Sequence, residues 1–267
     1  MENQQNRQSQ NTGGEFPEVV RPHPVISEYY GSAENRQAWV DSMFDTTAGH
    51  YDWITDVMSL GSGRWYRKWV LYRHGLREGM KLLDVGAGTG VIARAAQDQV
   101  GNQGDAVALD PSEGMLEVAR NRGVEQTVEA HGERLPFPDG RFDMLTMGYA
   151  LRHVPDLNQT FSEYHRALAA GGKVLVLEIT PPKSRLGHAV LKFYLRRVVP
   201  LIARVFRRSR DAQVLMHYYW ETIEKCVPPE KILEALHKAG FENVQRHVIF
   251  GIFSEYSGIK SADKAES

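Results

Sequence analysis

Lys81-Leu82-Leu83-Asp84-Val85-Gly86-Ala87-Gly88-Thr89-Gly90 is the stretch that decides the fold of this chain. The apolar run from Leu82 to Val85 suits a short buried strand, and the glycines after it force a tight loop. From Val91 to about Gln99 the apolar residues recur at helical spacing. A second apolar run, Ala106-Val107-Ala108-Leu109, stops at Asp110. Strand, glycine loop, helix, strand, acid is the order of a nucleoside-binding crevice in an open α/β sheet.

The loop also discriminates between nucleosides. Gly86 and Gly88 let the backbone turn and approach a ligand with no Cβ in the way. Gly90 lets the next helix sit close. Amides at that helix start suit an anion: pyrophosphate for a dinucleotide, the methionine carboxylate for S-adenosylmethionine. The spacing is G-x-G-x-G, so the third glycine arrives one residue too early for the dinucleotide fingerprint G-x-G-x-x-G. Asp84 suits an ammonium group, directly or through water, and a dinucleotide has none. Asp110, 26 residues further on, is placed to accept from both ribose hydroxyls. The bland alternative makes both acids turn and cap residues. Their shared position at strand ends around a glycine loop argues against it.

Working outward, 267 residues suit one large domain or one domain with an inserted cap. The lone cysteine, Cys226, excludes an internal disulfide and a cysteine-held metal cluster. The histidines lack ligand spacing, so no metal site is assigned. A net charge of −1 does not suit a nucleic-acid binder. There is no apolar run of the roughly 20 residues that span a bilayer, and the N-terminus does not read as a signal peptide. The expectation is a cytoplasmic protein.

Residues 1–25, rich in Gln, Asn, Pro and Gly, read as a flexible N-terminal arm. Residues 26–78 read as an N-terminal helical lid, with aromatics that cover a sheet edge, line a pocket, or do both. The core spans 79–182, with helices near 114–122 and 157–168 and strands at 142–147 and 173–179. Gly171 and Gly172 are expected to form the turn before the last of these. Residues 183–226 read as a basic helical cap, interrupted at Pro200. A helix and strands at 227–257 complete the core, and 258–267 form a flexible tail.

These residues resemble class I S-adenosylmethionine-dependent methyltransferases, and most closely the ubiquinone/menaquinone biosynthesis C-methyltransferase family. Besides the cofactor loop, the likeness is carried by Met43-Phe44-Asp45-Thr46-Thr47-Ala48-Gly49-His50-Tyr51-Asp52 and Trp65-Tyr66-Arg67-Lys68. Leu135-Pro136-Phe137-Pro138-Asp139 and Ala170-Gly171-Gly172-Lys173 add to it. Its most specific piece is Ala150-Leu151-Arg152-His153-Val154-Pro155-Asp156. The likeness covers roughly residues 43–253. It implies a Rossmann-like sheet with helices on both faces and a helical lid or cap.

The same resemblance implies the site. The cofactor, S-adenosyl-L-methionine, would meet Asp84, Gly86, Ala87, Gly88, Asp110 and Pro111. Met115 would pack on its adenine, with His131, Gly132 and Glu133 alongside, and Tyr51 would lie near its methionine end. Arg152 matches an arginine of the quinone site. His153 stands where the quinone enzymes carry Asn, and Gly148-Tyr149-Ala150 replaces the usual Ser-Phe-Gly. The family likeness is therefore stronger than the likeness in substrate.

The implied reaction is in-line methyl transfer to a small aromatic, quinone-like or polyketide-like acceptor, with ring carbon favoured over oxygen. Arg152 would steady a phenolate. His153 would serve as the base, or be a structural histidine. Tyr149 is a further polar pocket residue. O-methylation in secondary metabolism and a non-catalytic cofactor-binding role are the rival readings.

Between Ile179 and Arg210 stand nine Lys or Arg and no Asp or Glu. Three readings of 183–210 stay open. It is a solvated face over a packed stripe, a steering patch for an anionic substrate, or a peripheral contact with the inner face of a membrane. A homodimer is compatible with the sequence and not required by it.

Overall fold

Leu82, Leu83 and Val85 are all buried, as expected for a strand covered on both faces and not for one alternating between core and solvent. In the computed structural model this strand, β1 (Lys81–Val85), lies near the middle of a seven-stranded sheet. The structure describes residues 19–32, 34–58, 62–202 and 210–262, without the side chains of 50–58, 64 and 210–213. The other strands are β2 (Asp105–Asp110), β3 (Gln126–Glu129), β4 (Phe142–Gly148), β5 (Leu168–Ile179), β6 (Phe241–Ile249) and β7 (Phe253–Lys260). Their order is β3-β2-β1-β4-β5-β7-β6. The first five are parallel, and β7 runs antiparallel between β5 and β6. The order reverses between β1 and β4, and ligands bind at the carboxyl ends of strands at such a switch point.

The helices, in chain order, are α1 (Ser27–Tyr30), α2 (Arg36–Met58), α3 (Gly63–Arg73), α4 (Val91–Val100) and α5 (Glu113–Asn121). There follow α6 (Leu157–Ala167), α7 (Arg185–Phe193), α8 (Arg210–Glu224) and α9 (Pro229–Lys238). Helices cover both sheet faces. Phe161 and Tyr164 of α6 pack with Ile232 and Leu236 of α9 in one core cluster. Tyr66 and Val70 of α3 pack with Ile92 and Ala96 of α4 in another. A third cluster joins Leu195, Val199, Met216 and Trp220 of the cap to Ile26, Tyr30, Val40 and Met43. The cap is thus seated on α2.

Several expectations are corrected. Residues 19–25 are not a loose arm. The Val20 amide donates to Asp156 Oδ1 at 3.0 Å, the Leu157 amide donates to the Val20 carbonyl, and His23 is buried. Residues 1–18 lie outside the described residues. The expected tail is also shorter, because Gly258, Ile259 and Lys260 belong to β7. Gly171 and Gly172 sit inside β5, not in a turn before it. The register jumps from Phe142↔Leu168 to Met144↔Lys173, so the glycines form a bulge. Of the expected lid, α3 is part of the core layer.

Pro200 does not break its helix. A π-helical turn at Tyr194–Val198 precedes it, and the Val199 amide donates to the Tyr194 carbonyl. That wider turn makes room for a ring that clashes in a regular helix.

Candidate active site

The glycine loop is stitched to the end of β2. The Gly88 amide donates to Asp110 Oδ2 at 2.7 Å, and the Ala87 amide donates to the Leu109 carbonyl at 3.0 Å. At Gly86, φ is +64°, and a Cβ would stand 2.6 Å from the Ala150 Cβ. A Cβ on Gly88 would stand in open space, where a ligand would otherwise come within reach of the main chain. Gly88 and Asp110 line a cavity with Gly86, Pro111, Met115, His131, Gly132 and Glu133. Tyr149 and His153 line the same cavity. Most of the expected site residues are thus brought together.

Asp84 and Ala87 are not in that wall. Asp84 Oδ1 accepts from Thr146 Oγ1 at 2.7 Å, and Oδ2 accepts from the Ala93 amide at 3.2 Å. The carboxylate therefore ties β1 to β4 and to the first turn of α4. Of the two expected routes to a ligand ammonium, direct or through water, this enclosure leaves the one through water. Burial pushes its pKa up to about 7. Ala87 has spent its amide on the Leu109 carbonyl near the end of β2. Tyr51 belongs to α2, but its side chain lies outside the described residues.

Asp110 is different. Its oxygens accept from the Gly88 and Ser112 amides, and it still faces the cavity. Each carboxylate oxygen has a second lone pair, which leaves the acid able to accept from a diol. Burial, reinforced by the charges of Asp41 and Asp45, raises its pKa to about 6. Ser112 caps α5 by accepting from the Met115 amide, and its hydroxyl donates to Asp45 of α2. That contact draws α2 over the crevice, and Gln37, Val40, Asp41 and Phe44 line the cavity from it.

The other end of the cavity is built around His153. Its ring stacks on Tyr218 at 5.6 Å between centroids and meets Phe44 edge-on at 5.0 Å. Nδ1 lies 3.2 Å from the Tyr218 hydroxyl, and Nε2 is buried with no hydrogen-bond partner among the described residues. Burial, then the charges of Arg152 and Arg36, push its pKa well below the ordinary value, so the ring is neutral. Tyr149 has φ +63°, a strained conformation for a non-glycine residue. Its amide donates to the Leu177 carbonyl, and the Arg67 guanidinium sits 5.0 Å over its ring.

Arg152 does not reach the cavity wall. It is fully buried, with Nε donating to Glu178 Oε1 at 3.0 Å and Nη1 donating to Thr222 Oγ1 at 2.8 Å. Nη2 donates to the Tyr149 carbonyl. Its donors are spent on joining β5, α8 and the turn after β4. The expected contact with the acceptor is corrected to positioning.

Sequence reasoning missed Arg36. Its guanidinium donates to the carbonyls of Arg152 at 2.7 Å and Val154 at 3.0 Å, and so grips the chain on both sides of His153. The same group lies 3.1 Å from His23 Nε2. One signal was available: Arg36, Val40 and Met43 share the i, i+4, i+7 spacing of a buried stripe.

The sheet order, the bare loop and the cavity-facing acid define a class I S-adenosylmethionine-dependent methyltransferase. Fold comparison agrees. The Haemonchus contortus phosphoethanolamine N-methyltransferase 2 superposes with a TM-score of 0.61 at 17% identity, over 84% of this chain and 60% of that one. A Thermotoga maritima S-adenosylmethionine-dependent methyltransferase gives 0.59 at 21% identity, over 83% and 99%.

Within that class, the chain belongs to the ubiE/COQ5 methyltransferase family, whose model matches residues 31–260. It is 32% identical over 236 residues to the ubiquinone/menaquinone biosynthesis C-methyltransferase of a Shewanella species, covering 85% of this chain and 93% of that protein. The corresponding Xanthomonas oryzae protein is also 32% identical, over 86% and 92%. Its activity is S-adenosylmethionine-dependent methyl transfer to a small molecule.

Proposed function

We propose that the acceptor is a small phenolic, quinone-like ring and that the methyl group goes to ring carbon. The observation that carries this reading is His153 Nε2, a neutral and unpartnered base in the wall of the cavity that holds the nucleoside end. With Nδ1–H donating to the Tyr218 hydroxyl, Nε2 is the acceptor. Polyketide-like phenols satisfy the same geometry.

When bound, S-adenosylmethionine supplies a methyl group on a sulfonium. The chain does the rest. Asp110 and the 131–133 turn would hold the nucleoside, while Phe44, Tyr149 and Val154 wall the space beside it. His153 Nε2 takes the acceptor's hydroxyl proton, which makes the neighbouring ring carbon electron-rich. That carbon would be the nucleophile toward the methyl group that a cofactor held by Asp110 and the 131–133 turn would supply. The carbon then loses its own proton to solvent, and His153 returns the first proton to oxygen. One proton is released overall.

The test is incubation with isotopically labelled S-adenosylmethionine and a panel of quinols and simple phenols, with the methyl group located by mass spectrometry. Label on ring carbon is expected. Label on oxygen would replace this reading with an O-methyltransferase, in which His153 deprotonates the nucleophile directly. Cofactor binding with no transfer to any phenol would remove the acceptor class.

A further inference from the structure

Two helices turn large apolar side chains outward. On α7 and its continuation, Leu186, Val190, Phe193 and Leu201 are 77, 60, 63 and 61% exposed. Their spacing keeps them on one side, while Leu195 and Val199 are buried on the other. Lys183, Arg185, Arg196 and Arg197 are exposed beside or within this row. On α3, Trp65, Trp69 and Tyr72 form a second outward row at i, i+4 and i+7, 69, 37 and 64% exposed. The Arg73 and Arg77 guanidiniums lie 4.6 and 4.9 Å over the Trp69 and Tyr72 rings. Ile179, the last residue of β5, packs against the cores behind both helices.

We propose that these rows are a docking surface for an anionic lipid bilayer, with apolar side chains entering the interface and Arg and Lys engaging headgroup phosphates. Aromatic rings with Arg at their rims are suited to headgroup depth, and an outward apolar row set among cations is an interfacial helix. A second copy of the chain fits poorly. A two-fold contact would set this face against itself, and between Ile179 and Arg210 there is no acid to offset the cations. A nucleic acid would leave the apolar row unused. No helix of the described residues is long and apolar enough to cross a membrane, so the contact is peripheral. The surface is independent of the acceptor assigned above.

Flotation of the full chain with vesicles tests it, using phosphatidylcholine alone and phosphatidylcholine mixed with phosphatidylglycerol. The wild type is expected to float with the mixed vesicles and about tenfold less with the neutral ones or at high salt. The double variant Val190→Asp/Phe193→Asp should lose about tenfold on the mixed vesicles, with its thermal melt and calorimetric cofactor affinity unchanged. Trp65→Ser should give a smaller loss. Absence of flotation with mixed vesicles overturns the proposal, as does flotation indifferent to these substitutions. A concentration-dependent dimer that the double variant dissociates, with no lipid binding, would reassign the face to self-association.

Discussion

The nucleoside end of the cavity and the end proposed for the acceptor are built by different means. The nucleoside end is made largely from the glycine loop, Asp110 and the turns that follow β1, β2 and β3, within about fifty residues of sequence. The acceptor end is made from side chains. Phe44 comes from α2, Tyr218 from α8, His153 from the turn after β4, and Arg36 and Arg152 hold that turn from opposite sides. A backbone site can change its side chains and keep its ligand. A site of interlocked side chains ties its chemistry to the seating of the cap.

That contrast predicts which substitutions separate binding from turnover. The largest effect belongs to His153→Ala, which should lower kcat by about 10²–10⁴ while the calorimetric cofactor affinity stays within a few-fold. Equal losses in both would make the histidine structural and erase the distinction between the ends. Next is Arg152→Ala, which leaves the buried Glu178 without its cation. Breaking such a pair costs about 3–5 kcal/mol, visible in chemical denaturation, and turnover should fall with stability. An unchanged midpoint would show that the arginine does not hold the acceptor end together.

Asp110→Ala should act on the other end alone. Hydrogen bonds to a charged group are worth about 1.5–3 kcal/mol each, so losing the two diol contacts should weaken cofactor binding by at least about 100-fold. The acceptor KM, measured at saturating cofactor, should move little.

The smallest effects are those of pH. Asp110 is raised to about 6, and a diol needs its ionised form. Cofactor affinity should therefore fall as pH drops below about 6, approaching about tenfold per pH unit. Asp84 is raised to about 7, so between about pH 4 and 7 the folded chain holds a proton that the unfolded chain has released. Stability from this group falls as pH rises through that window. Asp84→Asn should flatten that slope in denaturation curves taken across it.

The same division governs how much was legible in the sequence. The β1 loop, α4, β2 and Asp110 could be read because glycine spacing and strand ends are local. The edge strand Gln126–Glu129 escaped notice because it is polar and only half buried. The bulge at Gly171–Gly172 has the composition of a turn, and only the pairing of β4 with β5 distinguishes the two. Asp84 was placed near the ligand, but its side chain is enclosed by Thr146 and the start of α4, a partnership 62 residues away in the chain. Arg36 reaches carbonyls 116 and 118 residues on, a distance over which residue patterns carry no information. The expected place of Arg152 at the acceptor comes from the family likeness, and the motif around it does not announce its pairing with Glu178, 26 residues on.

The grip of Arg36 on the carbonyls beside His153, with His23 at its back, has a consequence for protein engineering. Transplanting the 148–154 turn alone onto another scaffold would carry over the imidazole without its clamp. A working graft has to bring the opening turn of α2 and the chain leading into it, so that two separated stretches are exchanged as one cassette.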